Sequence, residues 1–160
     1  MAPRPWEETA IVALLRFGGV LTGCAFGAVL LPVEWMAAVH SAIGLGAFPR
    51  APIVDYLSRS LSVLYGFHGV FLLLVSTDVR RYRVFVLYSA TMAVAAGLAF
   101  LGIDLHAGLP LCWTLTEGPP LSAAGLAMLW LVRRLDRRSS PGGRAPGCYN
   151  PTLHRGPQNR

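Results

Sequence analysis

Four carboxylates and two histidines carry most of the chemistry in this sequence. Glu34, Asp55, Asp104 and Glu117, with His40 and His106, stand at the edges of long apolar runs beside Arg50, Arg59, Trp35 and Trp113. Acids, guanidinium and imidazole that converge in an apolar surround hold small polar ligands. In "DYLSRSLSVLYGFHG", Asp55 and Arg59 are four residues apart, so on a helix they reach each other as an ion pair. Asp55 also suits a helix N-terminus, and Arg59 can answer it or reach lipid headgroups, so anchorage accounts for the pair as well as function does. The candidate site is therefore an outer-face polar cluster of Asp55, Arg59, Asp104, His106 and Glu117, able to take a small molecule or a quinone-like head.

Neither a metal nor a cofactor is expected. Glu34 and His40 are six residues apart, about 240° around a helix, and Asp104 and His106 are two apart, so neither pair shares a face as helical ligands do. A haem between His68 and His106 fails on depth, since His68 lies roughly 22 Å inward from the start of its apolar run while His106 ends another run near the outer boundary. His68, close to Tyr65, reads as a hydrogen-bonded packing residue, with a proton-relay role as the alternative. Cys24, Cys112 and Cys148 form no CxxC pair and predict no disulfide framework. No catalytic constellation emerges, and the reading leans away from an enzyme.

The elements that must position these residues are apolar. Hydrophobic residues make up 54% of the 160 and charged residues only 14%, a balance that fits hydrocarbon better than water. All 14 basic residues are arginine, and most sit at the ends of apolar runs, which argues against a nucleic-acid face despite the formal charge of +6. Crossing a core of about 30 Å takes roughly 20 residues. Four runs qualify or nearly do, at about 10–31, 53–77, 84–105 and 111–132, and all should be helices because backbone groups in lipid must be satisfied within the segment. The fold class expected is all-α: a four-helix transmembrane bundle over 1–138, with a disordered cytoplasmic tail over 139–160. Arg80, Arg81 and Arg83 after the second span, and Arg133, Arg134, Arg137 and Arg138 after the fourth, put both termini in the cytoplasm. "LTGC" resembles a lipoprotein box, but Arg16 breaks the apolar stretch before it and "AFGAVLL" stays hydrophobic after it, so cleavage is not expected.

Gly19, Gly23 and Gly27 recur every four residues and predict a flat ridge for helix packing; Ser89, Ala93 and Gly97 repeat the interval. "PVEWMAAVHSAIGLG" predicts a short interfacial helix between the first two spans, opened by Pro32 and stopped by Gly44 and Gly46. Pro119 and Pro120 interrupt the fourth run, so its regular helix is expected to begin near Pro119, with "LPLCWTL" dipping into the outer leaflet.

The segments "LPVEWMAAVHSAIGLGAFPRAPIVDYLSRSLSVLYGFHG", "DVRRYR" and "GIDLHAGLPLCWTLTEGP" resemble a family of small four-helix bacterial membrane proteins without an assigned activity. In layout alone the chain is also similar to DoxX-like and BphX-like proteins. The resemblance implies the four-span topology and a bacterial inner membrane. Three functions remain in view: a non-catalytic accessory or assembly subunit that packs as a homo-oligomer or with a membrane-protein partner, a binding or redox-associated protein using the outer cluster, and a small transporter. The lipid bilayer is the one partner common to all three.

Overall fold

The structure is a computed structural model and is described for residues 5–139. All regular secondary structure among the described residues is helical. The tail expected over 139–160 lies outside the described residues, apart from Ser139 at the end of the last helix. Six helices follow in order: α1 Trp6–Gly23, α2 Ala25–Leu30, α3 Val33–Ala42, α4 Pro52–Val75, α5 Arg83–Ala107 and α6 Leu111–Ser139. Three stretches, Trp6–Leu30 (α1 with α2), α4 and α5, are long and apolar enough to cross a membrane. Helix α6 is longer but less apolar, because "TEGPP" interrupts it and arginines close it.

Local signals set most boundaries. Pro52 occupies the first turn of α4, where its missing N–H costs nothing. Gly108 closes α5 in the left-handed region at φ 67°, a conformation that a Cβ disfavours. The short α3 starts after Pro32, and two glycines of positive φ, Gly44 and Gly46, follow it, as the sequence predicts.

Helix α6 differs from expectation. It starts at Leu111 and runs straight through Pro119 and Pro120 instead of beginning there. The two prolines remove the N–H donors for the carbonyls four residues earlier, on Leu115 and Thr116. Packing offsets the loss: Gly118 sits against the Gly97 carbonyl and Leu101 of α5, and Ser122 donates to the Val94 carbonyl at 3.3 Å. Small residues on both helices, Ala90 and Gly97 against Gly118 and Gly125, bring the two backbones together. That contact holds the segment helical where propensity alone would break it.

The bundle is two helix pairs. In the first, α4 packs on α1 and α2; in the second, α5 packs on α6; the pairs meet where α1 touches α6. Glycine permits the first contact as well. A Cβ on Gly69 would strike the backbone of Gly19 and Gly23, and one on Gly66 would lie 2.6 Å from the Phe26 ring. The ridge predicted from Gly19, Gly23 and Gly27 is thus only partly used: Gly19 is enclosed by Leu73 and Gly69, Gly23 presents backbone alone, and Gly27 has nothing within 4 Å of its Cβ position.

Toward the end of the molecule that carries Arg80, Arg83, Arg134 and Arg138, here termed the arginine end, the pairs close on a common core of Ile11, Leu15, Leu72, Val75, Val86, Met128 and Val132. Polar contacts stitch the same end. Arg80 Nε donates to Glu8 at 2.9 Å and Arg83 Nε to Asp136 at 3.0 Å. Arg138 Nε lies 2.9 Å from the wholly buried Glu7 without hydrogen-bonding it. Arg134 stands 4.5 Å over the Trp130 ring and 5.8 Å from Trp6.

Candidate functional site

The five residues of the expected polar cluster are distributed over both pairs. Asp55 and Arg59 form the ion pair that their spacing predicts, at 2.9 Å. Arg59 also donates to the Leu31 carbonyl at 3.2 Å and to that of Val29, closing the C-terminus of α2. This places the pair in the contact between α4 and α2. Asp104 is buried in the second pair, and one of its carboxylate oxygens has no hydrogen-bond partner. His106 is exposed, and Glu117 lines a shallow hollow with Trp113 and Thr116. Among the described residues the one direct polar contact within this set is Asp55 with Arg59.

A different site lies between the helix pairs. Although consecutive in sequence, α4 and α5 do not pack along their lengths. A groove of about 410 Å³ separates them. One wall is Leu61, Leu64, Tyr65 and His68, at i, i+3, i+4 and i+7 on one face of α4; the other is Ser89, Met92, Ala93, Ala96 and Phe100 on one face of α5. Thr22 of α1 and Leu121 of α6 form the back. Toward the arginine end the groove is shut, because Phe71 of α4 meets Phe85 of α5 edge to face at 5.8 Å. His68 rests on Phe71 with ring centroids 6.2 Å apart.

Four polar side chains interrupt this apolar lining, and they differ in how far they are engaged. The Thr22 hydroxyl already donates to the Gly18 carbonyl at 2.8 Å. Ser89 is only 7% exposed, and its hydroxyl has no hydrogen-bond partner. His68, expected to be a hydrogen-bonded packing residue, instead faces the groove without a hydrogen bond among the described residues. Tyr65 completes the set, within electrostatic reach of Glu117 on α6. No charged side chain lines the groove. His68 stands seven residues from the end of α4 and Ser89 six from the start of α5, so both lie roughly 10 Å in from the helix ends.

The groove is thus an elongated apolar slot with the unengaged His68 and Ser89 toward its closed end. It can accept a neutral molecule with an apolar body and a polar atom at one end. With the Ser89 hydroxyl bonded to nothing, no nucleophile and base pair is formed with His68. A smaller hollow of about 220 Å³ at the arginine end is lined by Arg80 and Arg83, both already bonded to carboxylates, and offers no comparable set of free donors.

Sequence reasoning sets Tyr65 beside His68 and Ser89 in a packing stripe of another helix, and so misses that they share a site. The usable signal is their depth: both lie inside apolar runs, away from the edges where anchoring residues sit. No protein-family profile, curated protein or solved structure matches this chain.

Proposed function

We propose that the chain is a four-span protein of the bacterial inner membrane, with both termini cytoplasmic, that binds a lipid-soluble small molecule in the groove between its helix pairs without converting it. The observation that carries this reading is the slot lined by α4 and α5, apolar along its walls and supplied with unengaged donors at its closed end. The arginine end is the cytoplasmic one in this reading, because positive residues stay on that side. Helix α6 acts as the fourth span despite its lower apolarity, with Arg133 and Arg134 reaching back to the headgroups. The short α3, with exposed Trp35, lies at the opposite surface.

A ligand reaches such a slot from the side, by diffusion within the bilayer. The closed floor of Phe71 and Phe85 favours holding over passage, which sets this reading apart from transport. It keeps the non-catalytic character expected from the sequence, and it moves the binding site from the outer face to mid-depth. The glycine faces are no argument for an external partner, since Gly19, Gly69, Gly97 and Gly118 are occupied within the molecule.

The test is to purify wild type and Ala93→Trp from native membranes, extract both with organic solvent and compare the extracts by mass spectrometry. Wild type should retain a lipid-soluble compound at close to one per chain. The indole, projecting into the groove, should reduce it at least tenfold while the helical content by circular dichroism stays unchanged. Identical extracts would refute the binding reading.

A further inference from the structure

We propose that the uncovered face of α1 around Arg16 docks a transmembrane helix of a different protein, one that carries a carboxylate at the depth of Arg16. The inference rests on the membrane placement above and is independent of the groove. Arg16 is the one charged residue between Ala10 and Leu31. It lies ten residues beyond Trp6, roughly 15 Å along the helix. The Trp6 ring, 6.2 Å from Trp130 and beneath Arg134, marks the boundary level at the arginine end. A snorkelling arginine recovers about one turn, some 5 Å, and so leaves the guanidinium well inside hydrocarbon.

Charged residues at such depth face the bundle interior or pair with an opposite charge. Arg16 does neither. It is exposed on the stripe of Ala13, Phe17 and Val20, opposite the buried stripe of Ile11, Leu15 and Gly19, and has no hydrogen bond or ion pair among the described residues. The carboxylates nearest to it in the chain are already engaged. At the arginine end Glu7 is matched to Arg138, Glu8 to Arg80 and Asp136 to Arg83, while Asp78 accepts the Arg81 N–H at 3.0 Å. A parallel second copy brings the same engaged set at this end, its other acids, Glu34, Asp55, Asp104 and Glu117, lying toward the opposite end. The complementary charge must come from another protein, and exposed Phe17 and Val20 supply the apolar contact beside it.

The experiment uses the full chain, donor-labelled and reconstituted in phosphatidylcholine vesicles. Vesicle flotation first establishes that it inserts, which separates failure of the membrane placement from failure of the docking proposal. Acceptor-labelled Leu/Ala transmembrane peptides with a single Glu, or a single Gln, about 15 Å from one end are then titrated by energy transfer. The Glu peptide should associate at least tenfold more tightly than the Gln peptide, and Arg16→Leu should abolish the difference while Arg16→Lys keeps part of it. Equal binding of the two peptides to wild type overturns the proposal by itself, whatever the fate of the variants. So does a preference for phosphatidylglycerol vesicles that Arg16→Leu removes with no discrimination between peptides, since that assigns the arginine to lipid phosphate.

Discussion

The two ends of this bundle are built on opposite rules. At the arginine end, four helices share one core, and ion pairs tie α1 to the turn before α5, α1 to α6 and α5 to α6. Toward the other end the same helices separate into two pairs, each held by glycine contacts of its own, with an open slot between α4 and α5. The difference teaches that the cohesion of the bundle and its open groove lie in separate places. A molecule joined tightly at one end can leave two helix faces unpaired at the other without falling apart.

Substitutions can break or sharpen that contrast. The largest effect is expected within the first pair: Gly69→Leu would drive a side chain into the backbone of Gly19 and Gly23, where nothing flexible can yield. Overpacking of this kind should cost about 3 kcal/mol or more and prevent α1 and α4 from associating, as read by chemical denaturation in detergent. Retention of full stability would mean that the close approach is not made.

Next comes the arginine end. Arg138→Ala strands the wholly buried Glu7 carboxylate and should cost about 2 kcal/mol, a figure reduced because Arg138 itself is largely exposed. Glu7→Gln in the same assay should cost less, about 1 kcal/mol, because the side chain it leaves unpaired is solvated. Equal losses would show that the two charges do not depend on each other.

A third test concerns the slot directly. Spin labels at Tyr56 and Ile103, both exposed and both toward the open end, should give a broader distance distribution than labels at Thr77 and Arg133, exposed near the closed end. Distributions of equal width would remove the contrast on which the binding reading depends. The smallest effect is Gly27→Ala, where open space surrounds the added methyl and the helix gains intrinsic propensity. It should change stability by no more than about 1 kcal/mol, in the stabilising direction.

The helices were legible in the sequence where an apolar run has a physical end: Pro32, Gly44, Gly46 and the arginines behave locally as their chemistry predicts. The Asp55 and Arg59 pair was legible for the same reason, being a matter of four residues on one helix. Pro119 and Pro120 misled because their local cost is met by α5, a contact that appears in no short window of sequence. The groove was hidden at a higher level. Tyr65, His68 and Ser89 are three small interruptions in apolar runs, and what makes them a site is that α4 and α5 decline to pack, a property of the whole set of helix contacts. Gly27 shows the converse, since a regular repeat carries no promise of a neighbour.

Arg59 bears on how the chain is made. The carbonyls at the end of α2, on Val29 and Leu31, take a donor that stands twenty-eight residues and more downstream. During synthesis that contact forms only after α4 has been made and has folded back on α2. One guanidinium thus makes the ending of α2 depend on a helix that is made later.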